Sequence, residues 1–134
     1  ARYLEPEHFA YVPDGAVMDV SFISIRNILP ALERCLKPGA FIISLIKPQF
    51  EAGRDKVGKK GIIRDKNTHI EVLSGICGYI NGKTGFRVVN LDFSPIKGQK
   101  GNIEYLVYCR NDGNAVDLDI EEIVSLSHNH LPKA

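Results

Sequence analysis

An amine flanked by carboxylates can handle protons, and three charged residues that end or begin apolar runs offer such a group. Asp19 closes residues 15–19 (GAVMD), a short run after a Pro-Asp turn that reads as a buried strand. Lys47 closes residues 40–47 (AFIISLIK), apolar at nearly every position, as expected for a strand covered on both faces in a parallel sheet. Glu104 lies near the start of residues 102–110 (NIEYLVYCR), the clearest strand pattern in the chain. That segment follows the β-rich residues 86–93 across a turn containing Pro95, Gly98 and Gly101, so the two are expected to pair antiparallel. Parallel strands present their carboxyl ends on one rim of a sheet, where ligands bind, and a reversed strand presents its beginning there. Asp19, Lys47 and Glu104 are therefore expected to share one rim. Taken singly, each has an ordinary structural reading: a helix N-cap, a lysine reaching water, a cross-strand ion pair. Convergence favours chemistry, because a lysine between two carboxylates beside a crevice suits removal of a proton from a weakly acidic hydroxyl.

The elements that must position these residues follow from spacing. Phe22, Ile25, Ile28, Leu29, Leu32, Cys35 and Leu36 recur at helical intervals, with Pro30 either kinking that helix or marking its first turn, and Lys37-Pro38-Gly39 stopping it. Residues 48–66 have no clean period and read as a long basic loop, and such loops in compact domains are usually functional or disordered. A second helix is expected over 68–81, with Thr68 and Glu71 as a capping box, and a terminal helix over 117–131. The resulting order, β-α-β-α-β-β-α, predicts an α/β fold whose sheet is mostly parallel with one antiparallel strand.

Composition sets limits. Across 134 residues, 17 Lys+Arg balance 16 Asp+Glu to a formal charge of +1, so any affinity for a polyanion must come from a local patch. The loop at 48–66 is the candidate: Arg54, Lys56, Lys59, Lys60, Arg64 and Lys66 outnumber Glu51, Asp55 and Asp65, and such a run suits nucleic-acid phosphates as well as plain solvent. Hydrophobic residues at 44% and charged residues at 25% suit one domain with one core and exclude disordered, collagen-like and coiled-coil classes. The longest uncharged apolar run, residues 40–46, is too short to span a bilayer, and the first residues carry charges where a signal peptide would be apolar. A soluble, cytoplasmic domain with no membrane contact is expected. Cys35, Cys77 and Cys109 are widely spaced, without a C-x-x-C pair, and read as reduced, packed thiols. Of His8, His69, His128 and His130 only the last two are close in sequence; they read as solvated surface residues, and no metal site is expected. The opening residues, ARYLEPE, read as the end of a longer element, so the chain is expected to be a fragment.

The strings ARYL (1–4), DVSFISI (19–25), KPQFEAGRDKVGKKGIIRD (47–65) and SPIKGQKGNIEYL (94–106) together resemble the hemolysin A (TlyA) family of FtsJ-like ribose 2′-O-methyltransferases, over nearly the whole chain up to about residue 110. The resemblance implies a class I, Rossmann-like, S-adenosyl-L-methionine-dependent methyltransferase sheet of which this chain is the C-terminal half. It also implies methylation of ribosomal RNA ribose, with ribosomal RNA or ribosomal subunits as partners and no metal. By motif it assigns Asp19, Lys47 and Glu104 to the aspartate, second lysine and glutamate of a Lys-Asp-Lys-Glu catalytic tetrad, the same three that the rim argument selects. It places Asp19, Val20, Ser21 and Phe22 near the cofactor, and Arg54, Lys56, Lys59, Lys60 and Arg64 on the RNA. Lys47 would help remove the 2′-hydroxyl proton, oriented by Asp19 and Glu104. Nothing here matches the family's first tetrad lysine, its glycine-rich cofactor motif or its N-terminal S4-like RNA-binding domain, so the fragment is expected to be inactive alone. Two rival readings are a membrane-acting cytolysin, for which a terminal helix carrying Asp117, Asp119, Glu121 and Glu122 is a poor candidate, and a non-catalytic RNA-binding module.

Overall fold

A computed structural model of the chain describes residues 5, 13–19, 24–53, 61–98, 101–112, 114 and 116–130. Strand β1 (Gly15–Met18) leads through a 3-10 turn (Ile25–Asn27) to helix α1 (Leu29–Cys35) and strand β2 (Phe41–Ile46). Helices α2 (Pro48–Glu51) and α3 (Lys66–Lys83) follow, then β3 (Arg87–Phe93), β4 (Tyr105–Arg110) and α4 (Ile120–His130). The sheet order is β1-β2-β4-β3. β1 runs parallel to β2, from Gly15 opposite Phe41 to Met18 opposite Ser44. β4 is antiparallel to both β2 and β3, with a bulge between Val88 and Asn90 on the β3 side. Three strands thus share one direction and one is reversed, as the segment order led us to expect. That β4 is inserted between β2 and β3, instead of lying outside β3, was not legible.

Several local expectations are decided or corrected. Pro30 marks the first turn of α1 and does not kink a longer helix; the residues before it form the separate 3-10 turn, whose Ser24 Oγ accepts from the Arg26 N–H at 3.1 Å. The segment from 48 onward is not loop throughout. Pro48, which has no N–H to satisfy, opens the short helix α2, and the Lys47 carbonyl accepts from the N–H groups of Phe50 and Glu51. The capping box at Thr68 is replaced by a cap one turn earlier: Asp65 Oδ1 accepts from Asn67 N–H at 3.1 Å, and Oδ2 accepts from the Thr68 hydroxyl at 3.2 Å. Thr68 therefore lies inside the first turn, and α3 starts at Lys66.

β2 is not covered on both faces by the described residues. Its burial alternates, with Ile42, Ser44 and Ile46 buried and Phe41, Ile43 and Leu45 half-buried, and β4 alternates in step. The reason is that the described core lies on one side: Leu73, Ile76 and Ile80 of α3 and Val124 of α4 are fully buried in one cluster with Phe86, Val88, Tyr105 and Val107. Burial of each such aliphatic side chain contributes roughly 1.5–3 kcal/mol. All three cysteines are buried free thiols, as packed thiols should be.

Candidate active site at the carboxyl rim of the sheet

β1 and β2 are parallel and end side by side, so the residues that follow them, Asp19 and Lys47, emerge on the same rim. They form an ion pair between Lys47 Nζ and Asp19 Oδ1. The two partners are unequally exposed: the Lys47 side chain is 12% accessible and that of Asp19 65%, so the ammonium is set into the wall and the carboxylate faces solvent. The β2–β4 ladder ends with Ile46 opposite Tyr105, and Lys47 and Glu104 are the next residues beyond that last pair on their two segments. All three residues are therefore brought to one end of the sheet. Arg64 is exposed just before α3. Val20, Ser21, Phe22, Arg54, Lys56, Lys59 and Lys60, together with His8, lie outside the described residues.

Glu104 is buried and closely held. The Gln49 side chain, projecting from α2, donates from Nε2 to Glu104 Oε2 at 3.0 Å. Gly98 lies against the same carboxylate, so tightly that a Cβ on it would overlap Oε2. Any side chain at position 98 would displace the acid. The turn around it is fixed by Gly98 N–H to the Asn102 carbonyl at 2.8 Å and by Gly101, whose φ of +83° suits glycine. Ser94 N–H donates to the Glu104 carbonyl at 2.8 Å. On the other side of the site Glu51 Oε2 accepts from Ile25 N–H at 2.9 Å, tying α2 to the segment that follows β1.

Asn102 is a second clamp. Its buried side chain accepts from Ile63 N–H at 3.0 Å and donates to the Gly61 carbonyl at 2.8 Å, so the stretch leaving the basic segment is stitched to the chain just ahead of Glu104. Alanine at 102 would leave two inward backbone groups without these partners, and we expect a loss of about 2 kcal/mol. Urea unfolding of the Asn102→Ala protein measures it, and an unchanged midpoint would mean that the clamp is dispensable.

The histidines are not all solvated. His69 is 1% exposed, and its Nε2 lies 3.1 Å from the Ile63 carbonyl, which as an acceptor fixes the proton on that nitrogen. Nδ1 is left as an acceptor, 2.9 Å from His128 Nε2 and 3.0 Å from the Tyr105 hydroxyl. That hydroxyl is 2.9 Å from Ser127 Oγ, which donates to the Val124 carbonyl at 2.7 Å. The network joins α3 and α4 to the first residue of β4. Burial, reinforced by His128, lowers the His69 pKa to about 4; burial together with Lys66 and Lys97 lowers that of His128; burial raises the Tyr105 hydroxyl to about 12. Tyr105 is thus a packing residue, and Tyr108 stacks on Phe41 with ring centroids 6.4 Å apart. Among the described residues no three His, Cys, Asp or Glu side chains gather as a metal site, and no helix is long and apolar enough to cross a membrane.

A family model described as FtsJ-like methyltransferase matches residues 1–111, and the chain belongs to that family. Among its relatives, it is 45% identical over 127 residues to YqxC of Bacillus subtilis, named as a candidate rRNA methyltransferase, covering 92% of this chain and 45% of that protein. It is 36% identical over 110 residues to the 16S/23S rRNA (cytidine-2′-O)-methyltransferase TlyA of Mycobacterium tuberculosis, covering 82% of this chain and 41% of that one. A solved structure of a candidate hemolysin from Streptococcus thermophilus superposes with a TM-score of 0.90 at 42% identity, over 96% of this chain and 48% of that one. The chain spans less than half the length of these relatives.

Proposed function

We propose that the chain is the C-terminal part of the catalytic domain of an enzyme that methylates ribose 2′-hydroxyls of ribosomal RNA with S-adenosyl-L-methionine. The observation that carries this reading is the Lys47 ammonium, held by Asp19 and one ladder step from the buried Glu104. The donor set fits such a cofactor: two carboxylates against one ammonium give the rim a formal negative balance, which favours a sulfonium cation. Asp19, the most exposed of the three, would hold the cofactor's side of the site. When bound, the cofactor supplies an electrophilic methyl group. The chain's own work is at the nucleophile. Once its ammonium has given up a proton to water, the neutral Lys47 amine takes the 2′-hydroxyl proton, while Asp19 and Glu104 fix where it stands, so that the oxygen lone pair is exposed in the direction of attack. A glycine-rich cofactor turn and a further catalytic lysine belong, in this reading, to the remainder of a longer protein, and residues 1–134 alone would be inactive.

The basic segment supplies affinity without reading sequence. Arg54, Lys56, Lys59, Lys60 and Arg64 would neutralise RNA phosphates, releasing counterions as they do so. In the full-length protein Lys59→Ala combined with Lys60→Ala is expected to weaken RNA binding and reduce the slope of log affinity against log salt by about 1–2, leaving cofactor binding intact. Filter binding across a salt series reads both, and an unchanged slope would remove the two lysines from the RNA contact. The function itself is tested by incubating the full-length protein with methyl-labelled S-adenosylmethionine and ribosomal subunits and mapping the label. Transfer to ribose 2′-oxygens is expected; label confined to bases, or none, would refute the reading.

A further inference from the structure

We infer that Gln49 is a positioning residue, whose side-chain N–H holds the Glu104 carboxylate in the orientation that Lys47 requires. The inference rests on the function proposed above and goes one step beyond it. Gln49 lies two residues after Lys47 and is carried on α2, which starts directly after the lysine, so the strand end that presents the amine also presents the amide. The amide's Nε2 lies 3.0 Å from Glu104 Oε2, and its other end, Oε1, is buried without a hydrogen-bond partner among the described residues. A glutamine kept for packing would not leave an acceptor stranded, whereas one kept for its donor can. Gly98 crowds the same Glu104 oxygen that Gln49 bonds, leaving room for no side chain of its own there, so the Gln49 donor meets an acid with little freedom to turn elsewhere. Gln49 touches no reacting atom in this scheme. It acts through Glu104.

Two substitutions in the full-length protein separate a donor from a space-filler. Gln49→Ala removes the side chain; Gln49→Glu keeps its volume and its acceptor but replaces the N–H donor with a carboxylate facing a carboxylate. If the donor matters, both lower kcat, by about 100-fold, as expected of a misplaced catalytic group, with KM for RNA and cofactor within about twofold of wild type. Gln49→Glu should be at least as impaired as Gln49→Ala. Wild-type kcat in the Gln49→Glu protein, or a rise in the RNA KM that accounts for the whole loss, overturns the inference. A second measurement does not depend on turnover: the Gln49 side-chain NH2 signals should exchange slowly with solvent in the wild-type protein and lose that protection in Glu104→Ala. Equal protection in both would also overturn it. Failure of the wild-type protein to methylate ribosomal RNA would instead count against the proposed function and leave the NH2 measurement to decide the role of Gln49.

Discussion

Lys47→Ala in the full-length protein is expected to reduce methyl transfer to ribosomal subunits by a factor of about 10² to 10⁴, the range supplied by a positioned general base, while RNA affinity stays near wild type. The fold should tolerate the change. Lys47 contributes its backbone carbonyl, not its side chain, to the start of α2, and alanine keeps that carbonyl. Its ion-pair partner Asp19 is 65% exposed, so removing the amine leaves there a carboxylate that water can solvate, and the buried Glu104 keeps its hydrogen bond from Gln49 Nε2. The basic segment is untouched, so the phosphate contacts that dominate affinity persist. Methyl incorporation measured beside filter binding checks both halves of the statement. Undiminished turnover in the alanine protein would take Lys47 out of the chemistry, and a parallel collapse of RNA binding would place it in the binding surface instead.

Acid is expected to loosen the packing of α4 and α3 on β4. The folded protein holds the His69 pKa at about 4, chiefly through burial, against 6.5 in an unfolded chain. Between those values the unfolded chain takes up a proton that the folded chain refuses, so stability rises with pH across the window. The contribution of neutral His69 is therefore complete above about pH 6.5 and is lost as pH falls toward 4, where it amounts to roughly 3 kcal/mol. By pH 5 about 2 kcal/mol should be gone, a fall in Tm on the order of 8 °C for a domain of this size. His128 is lowered in the same direction, opposed in part by Asp65. Thermal unfolding followed by circular dichroism at pH 7 and pH 5, compared with His69→Gln, isolates the effect because glutamine does not titrate. Equal drops in the two proteins would exclude the histidine as the source.

What the sequence made legible, and what it withheld, divides along a physical line. Asp19, Lys47 and Glu104 could be placed on one rim because strand direction is a property of segment order, and charge at the end of an apolar run is visible in one dimension. The insertion of β4 beside β2 could not be read: a hairpin signal tells which strands are neighbours and says nothing about the side on which the second one docks. Gln49 escaped because an uncharged amide inside a stretch read as loop carries no local signal, and its partner is 55 residues away. His69 did leave a trace. With Val72, Leu73, Ile76 and Ile80 it falls on the buried stripe of α3, so a helical wheel places it inward, and only its separation from His128 hid the pair. Asp65 lost to Thr68 as an expected cap because both have capping chemistry and helix ends are the least determined part of a periodic pattern.

The central place of β4 also sets an order of events during synthesis. β2 and β3 are both made before it, yet they do not pair with each other; each waits for the same later strand. A growing polypeptide that has reached Phe93 can form the β1–β2 pair, but β3 has no neighbour, and Lys47 looks across a gap where Glu104 will come. Joining β2 to β4 closes a long loop of chain, the kind of contact that forms late and slowly. The rim is thus complete only when β4, joined to β3 by a short turn, also docks on β2. Unfinished chains carry the amine without the buried acid, and the completed site appears only with the strand that also completes the sheet.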